Sequence, residues 1–116
     1  MSSLDPKAIE ELRSLSPEDD SFLRELIQIY LEDSPRCILE IEQSLLQGDA
    51  QRLARAAHSL KGSSANFGAS RLRAVSEQIE KLGRQGLLRD VPAQLPELKA
   101  GFEQVRADLE ALISPG

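Results

Sequence analysis

Apolar residues recur every three or four positions along most of this 116-residue chain. This spacing places apolar side chains on one side of a helix, and no segment shows the strict alternation of a half-buried strand. Aromatic residues make up only 3% of the sequence, so the core has to be built mainly from Leu, Ile, Val and Ala. Such a core suits packed helices better than short strands. The sequence therefore predicts an all-α fold.

The first half of the chain predicts a short helix followed by a long one. Asp5 as N-cap and Pro6 at the first helical position mark the start of the short helix. The long helix ends at Gly48 and contains Pro35, which we expect to kink or split it near Ser34. Its apolar stripe consists of Leu23, Ile27, Tyr30, Leu31, Ile38, Ile41 and Leu45.

The second half predicts three more helices. Asp49 caps a helix that extends to Asn66, and Gly68 breaks the chain after it. Ser70 caps the next helix, whose buried face is Leu72, Val75, Ile79 and Leu82 and which ends at Gly83 and Gly86. Residues 87–95 are expected to be a linker. The last helix, over residues 95–113, buries Leu98, Phe102, Val105, Leu109 and Leu112.

Four amphipathic helices with short connections predict an antiparallel up-down four-helix bundle. The short leading helix is additional to these four. A chain of 116 residues fits one compact domain, so we expect residues 1–116 to form a single unit.

Composition excludes several functional classes. No apolar run is long enough to span a bilayer, and the N-terminus lacks the basic and apolar segments of a signal peptide. The only cysteine is Cys37, so no internal disulfide can form, and a cytoplasmic location is expected. The net charge of −5 argues against a general nucleic-acid binder.

Charge is distributed unevenly along the chain. Residues 1–50 carry a net charge of −8, residues 51–90 carry +5, and residues 91–116 carry −2. The basic block contains the only histidine, His58. A field from this block favours an acidic partner, although an uneven but purely solvating helix surface would give the same count.

His58 is predicted to point into solvent. A helix advances about 100° per residue, and on that scale Leu53, Ala56, Leu60 and Phe67 lie roughly opposite His58. Those apolar positions face the core, so the imidazole faces the other way.

Small and cationic residues share the face of His58. Arg55, Lys61, Gly62 and Ala65 lie within about 60° of it, and Ala54 is near. Gly62 in mid-helix costs roughly 1 kcal/mol relative to alanine, which suggests that another molecule approaches closely here. An unprotonated imidazole is a good nucleophile near neutral pH, and a cation one turn away can pair with an attached anion. This arrangement suits phosphoryl transfer through the histidine.

Other chemistries fit poorly. The segment KGSS lacks the order of a phosphate-binding loop, and one histidine with one distant cysteine cannot form a standard zinc site. Ser63 and Ser64 have no second histidine to act as base. We interpret these serines as small packing residues.

The segment HSLKGSSANFGA resembles the signature of histidine-containing phosphotransfer (HPt) domains, the carriers of multistep two-component relays. That signature is His, any residue, Leu, Lys, Gly, two small residues and then a glycine that ends the helix. The matching positions without a gap are His58, Leu60, Lys61, Gly62, Ser63, Ser64 and Gly68. The acidic leading helices and the segments flanking the motif are also similar to the family, so the resemblance covers nearly the whole chain.

The resemblance implies a role for individual residues. His58 would be phosphorylated on Nε2, and Lys61 would stabilise the phosphoryl group. Glu80, on the next helix, would hold the imidazole through Nδ1, or else be a surface acid paired with Lys81 or Arg84. The docking surface for the partner would include Ala54, Arg55, Gly62, Ser63, Ala65 and Asn66.

The resemblance also implies partners. The domain would accept a phosphoryl group from a receiver-domain aspartate of a hybrid sensor kinase and pass it to a response-regulator receiver. It would be a monomeric carrier without kinase activity, metal or intrinsic cofactor, and the receiver would supply Mg²⁺. Two alternatives stay open: a scaffold that binds receivers or kinases without carrying phosphate, and a domain taken from a larger hybrid or chemotaxis-type kinase.

Overall fold

A computed structural model describes residues 3–113 of the chain. It contains five α-helices, α1 to α5, which are Pro6–Ser14, Ser21–Gln47, Ala50–Asn66, Ser70–Arg84 and Leu95–Ile113. Helices α2 to α5 form the antiparallel up-down four-helix bundle, and α1 is the short additional helix. No strand occurs within the described residues. The predicted fold class is confirmed.

Several helix ends follow the local signals in the sequence. The Asp5 side chain accepts a hydrogen bond from the backbone N–H of Lys7 at 3.0 Å, with Pro6 at the first position of α1. Gly48 ends α2 in the left-handed conformation, with φ of 70°. The Asp49 side chain then caps α3 by accepting from the N–H of Arg52 at 3.1 Å. These three signals depend only on neighbouring residues, so the helix ends they mark can be predicted without knowledge of the tertiary fold.

The expected split at Pro35 is wrong, because α2 runs unbroken from Ser21 to Gln47. Pro35 is exposed, whereas Ile27 and Ile41 on either side of it are fully buried. Proline in a helix interior costs about 3 kcal/mol or more, but each buried aliphatic side chain contributes roughly 1.5–3 kcal/mol. Burial of one continuous stripe therefore outweighs the lost backbone hydrogen bond.

Two other boundaries differ from the expectation. Ser70 is the first residue of α4 rather than its cap, and the capping position belongs to Ala69, which makes no side-chain hydrogen bond. Ala69 is fully buried and follows directly on Gly68, whose φ of 66° makes the turn between α3 and α4. Residues 87–95 are not a plain linker, since they contain two 3₁₀ turns, Leu88–Asp90 and Pro92–Gln94, around the fully buried Val91.

The core is aliphatic and joins all five helices. The predicted apolar faces of α3 and α4 are buried as expected. On α5, Leu98, Phe102, Val105 and Leu109 are buried, but Leu112 is 37% exposed and does not belong to the core. Tyr30 of α2 packs against Phe67 and Phe102, with ring centroids 5.0 and 6.1 Å away. No helix within residues 3–113 has the length and apolarity needed to cross a membrane.

Gly83 does not end α4, which continues to Arg84. A Cβ at Gly83 would lie 2.9 Å from Leu53 Cδ2, 3.2 Å from the carbonyl oxygen of Ala50 and 3.2 Å from Ala54 Cβ. Absence of a side chain here lets α4 approach α3 closely. Gly86, with φ of 72°, lies just beyond the helix end.

Gly83→Ala and Gly62→Ala make a matched pair of helix-interior substitutions with opposite expected effects. Apart from the adjacent backbone of its own helix, a Cβ at Gly62 meets no atom within 4 Å, so alanine there should raise the free energy of unfolding by up to about 1 kcal/mol. Alanine at Gly83 gains the same helix propensity but overpacks the α3–α4 contact, which typically costs about 1–3 kcal/mol. Urea denaturation should rank Gly62→Ala above wild type and Gly83→Ala below it. Equal stabilisation by both would contradict the packing role of Gly83.

Candidate functional site

His58 lies on the outer face of α3, as the helical phase predicts. Its side chain is 60% exposed, whereas Leu53, Ala56, Leu60 and Phe67 are buried on the opposite face. The imidazole is therefore accessible to another protein while its helix is anchored in the core.

Glu80 of α4 supports this imidazole from one side. Its Oε2 lies 2.9 Å from His58 Nδ1, and its side chain is only 6% exposed. The contact is the one expected from the family resemblance. The alternative of a surface acid is wrong with respect to exposure, because the close α3–α4 packing buries the carboxylate.

Two cations complete the coordination of the Glu80 carboxylate. Lys61 Nζ forms an ion pair with Oε1 at 2.6 Å. Arg84 donates to Oε2 from Nη2 at 2.7 Å and from Nε at 3.1 Å. We call these four residues the Glu80 cluster: His58, Lys61, Glu80 and Arg84. The sequence indicated Arg84 only as a surface partner of Glu80, although the i, i+4 spacing between them is a signal for this ion pair.

The cluster fixes the ionisation of Glu80 and, through it, the tautomer of His58. Burial alone raises the pKa of Glu80, but the contacts with Lys61, Arg84 and His58 outweigh burial and lower the pKa to about 2. At neutral pH the carboxylate is ionised and can only accept hydrogen bonds. His58 Nδ1 must then carry a proton and donate it to Glu80. In the neutral ring, Nε2 is left with a free lone pair.

The residues expected to form the docking surface separate into two groups. Arg55, Gly62, Ala65 and Asn66 are exposed, and Ser63 is half-buried, with its hydroxyl donating to the Leu60 carbonyl at 3.2 Å. Gly62 has open space where a Cβ would lie.

Ala54 does not belong to the exposed surface. It is only 3% exposed, because it packs beneath α4 at Gly83. Its prediction as a partner contact is therefore wrong. Ser64 is also buried and shares a hydrogen bond with the Tyr30 hydroxyl at 2.8 Å, so it is a packing residue. No cluster of three or more potential metal ligands occurs in the described part of the chain.

The geometry matches a known family. The family model described as Hpt domain matches residues 25–108, which include the whole Glu80 cluster. The chain belongs to the Hpt domain family. The recognition made from the HSLKGSSANFGA segment is confirmed, and with it the phosphorelay phosphotransfer function.

Relatives of this Hpt domain include proteins of similar length and much longer ones. Histidine-containing phosphotransfer protein 4 of Arabidopsis thaliana is 32% identical over 103 residues, covering 86% of this chain and 81% of the relative. Multistep phosphorelay regulator 1 of Schizosaccharomyces pombe is 28% identical, covering 94% of this chain but 37% of the regulator. The crystal structure of histidine-containing phosphotransfer protein B (HptB) from Pseudomonas aeruginosa PAO1 superposes with a TM-score of 0.87 at 29% identity, covering 95% of this chain and 93% of HptB.

The Glu80 cluster makes the stability of this Hpt domain dependent on pH in the acid range. The folded pKa of about 2 lies below the unfolded value of 4.5, so the ionised carboxylate contributes stability above pH 4.5 that is lost as pH falls towards 2. The shift corresponds to at most about 3 kcal/mol. Glu80→Gln should therefore unfold more readily than wild type at pH 7, and the difference should close near pH 2.

Glu77→Gln is the matched control for this titration. Glu77 lies one turn before Glu80, is half-buried and faces Arg73 at 3.8 Å. A partly exposed pair at this distance contributes little, so Glu77→Gln should stay within about 0.5 kcal/mol of wild type across the range. Urea denaturation between pH 2 and 7 measures both variants. A Glu80→Gln difference that is independent of pH would show that the ionised carboxylate is not its source.

Proposed function

We propose that this Hpt domain carries its phosphoryl group on Nε2 of His58. The observation that carries the proposal is the hydrogen bond from Nδ1 to a buried, ionised Glu80, since it orients the ring and leaves Nε2 as the nucleophile. Nε2 belongs to an exposed side chain on a helix face that is open at Gly62.

Transfer of the phosphoryl group to His58 does not require removal of a proton from the attacking nitrogen. The Nε2 lone pair forms a bond to the phosphorus of an aspartyl phosphate, the bond from phosphorus to the aspartate oxygen breaks, and aspartate leaves as a carboxylate. The proton on Nδ1 stays in place, so positive charge develops on the ring. Glu80 stabilises that charge, and passage to a second aspartate reverses the same steps.

Lys61 is proposed to stabilise the phosphoryl group. It lies one helical turn after His58, and its ammonium carries three donors, so it can keep Glu80 and still donate to a phosphoryl oxygen. Its side chain is 24% exposed, which leaves it partly desolvated and strengthens the interaction.

The proposed partners are receiver domains of hybrid sensor kinases and response regulators, which would supply the aspartate and its Mg²⁺. The chain would act as a cytoplasmic monomer and carrier without kinase activity of its own. Xanthomonas campestris sensory/regulatory protein RpfC, 26% identical, matches 94% of this chain over only 14% of its own length. A segment similar to this domain therefore also occurs within a much longer protein. A scaffold that carries no phosphate gives no reason for the Glu80 cluster.

His58→Gln should abolish labelling by a phosphorylated receiver domain. On wild type, the phosphate should be lost in acid and survive alkali, because a phosphorus–nitrogen bond on a protonated imidazole is easily broken. Radiolabelled transfer followed by acid and alkali treatment measures this. Label that withstands acid, or that persists on His58→Gln, would place the phosphate elsewhere.

Lys61→Ala should slow transfer or shorten the lifetime of phosphorylated His58 about fivefold. A charge-assisted contact contributes about 1–3 kcal/mol, and partial exposure moves the effect towards the lower end. Raising the salt concentration should reduce the difference. The control is Lys81→Ala, which removes an exposed lysine next to Glu80 in sequence that forms no ion pair within residues 3–113. Equal behaviour of the two variants at low salt would remove Lys61 from the proposal.

A further inference from the structure

A shallow groove runs between α2 and α3 beside His58. It lies on the side of His58 away from Glu80, because Ser59 and Lys61 project from α3 in opposite directions around His58. The groove has a volume of about 340 Å³, and its walls include Arg36, Cys37 and Glu40 of α2 and Arg52, Arg55 and Ser59 of α3.

One of the three arginines in this groove is already committed to partners within the protein. Arg52 forms an ion pair with Glu40 and donates to the Gln47 side chain at 2.6 Å. The hydrogen bond from Arg52 holds the pKa of Glu40 below its usual value. Glu40 is thus neutralised by Arg52, although the charge of Arg55 also acts on it.

Arg36 and Arg55 are not committed in this way. Both side chains are exposed, they project from different helices, and neither forms an ion pair with a carboxylate within residues 3–113. Guanidinium groups present rigid forks of donors that match carboxylates, so two of them on facing walls offer an anion-recognising surface.

We propose that Arg36 and Arg55 recognise carboxylate side chains on the surface of the receiver domain, next to its phosphorylated aspartate. This inference rests on the proposed function, since a receiver has to dock over His58 to exchange phosphate. The surface of the receiver that contacts the α2 side of His58 would therefore be acidic.

Charge contrast within the chain supports an acidic protein as the occupant. Residues 1–50 carry a net charge of −8, so an acidic surface is repelled by most of that region and attracted where Arg36 and Arg55 lie. Such contrast fixes orientation and raises the association rate. Burial and, after it, the charges of Asp33 and Glu40 raise the pKa of the Cys37 thiol in this groove, which disfavours the thiolate.

Charge reversal tests the proposal through the steady-state constants for transfer from purified, phosphorylated receiver domains. Arg36→Glu and Arg55→Glu should each lower kcat/KM about tenfold at low salt, with kcat nearly unchanged, and high salt should reduce the loss. The control is Arg24→Glu, on the same helix and about 18 Å from Arg36 along its axis, which makes the same change in net charge. It should change kcat/KM less than about twofold.

A reciprocal change on the receiver makes the test sharper. Replacing the contacted Asp or Glu of the receiver by Lys should restore transfer to Arg55→Glu and impair transfer to wild type. Unchanged kcat/KM, an equal loss in Arg24→Glu, or a fall in kcat alone would each overturn the proposal. A fall in kcat alone would mean that the arginine acts on the phosphoryl group.

Binding of unphosphorylated receiver, measured by titration calorimetry, separates the two proposals. If Arg36→Glu and Arg55→Glu lose binding but wild type carries no phosphate on His58, the recognition surface is supported and the proposed function is overturned. If His58 is phosphorylated normally and neither substitution weakens binding, the proposed function is supported and the recognition surface is overturned.

Discussion

The site depends on the contacts that hold the Glu80 carboxylate ionised inside the protein. An isolated carboxylate that is 6% exposed would be strongly disfavoured, and it persists here because His58, Lys61 and Arg84 all contact it. The same contacts that allow the charge to be buried also set the tautomer of the imidazole and hold the lysine beside it. The stability of the fold and the orientation of the imidazole therefore both depend on the Glu80 carboxylate. A substitution at Glu80 changes both.

The helix packing supplies the geometry that this ion needs. Glu80 reaches α3 only because α4 lies close to it, and that closeness is allowed at Gly83, less than one turn further along α4. Ala54 fills the space beneath, which is why a residue near His58 in helical phase is buried rather than available to a partner. The small Ala54 on α3 and the absence of a side chain at Gly83 on α4 thus let the two helices pack closely. This close packing brings Glu80 against His58.

The sequence predicted what local rules determine, and missed what depends on the facing helix. Periodicity was enough for five helices and for an outward His58, since both follow from the 3.6-residue turn. Gly83 was interpreted as a helix end because glycine has that meaning locally, and only the proximity of Leu53 and Ala54 gives it another. The complete contact set of Glu80, Arg84 included, needed the α3–α4 pairing, which no single-chain pattern reports. The split at Pro35, one of the two outcomes expected there, does not occur, because burial on both sides of it outweighs its local preference.

The two sides of His58 are built from different helices. Support for the ring comes from α4 through Glu80 and Arg84, whereas Arg36, which forms no ion pair within residues 3–113, lies on α2 across the groove. Substitutions of exposed residues on α2 leave the hydrogen bond between His58 and Glu80 in place. Under the recognition role proposed for Arg36, a duplicated gene would acquire different receiver partners through substitutions at a few outward α2 positions, while His58 and Glu80 are inherited unchanged. Separation of two parallel relays in one cell would then require few substitutions, and none at His58.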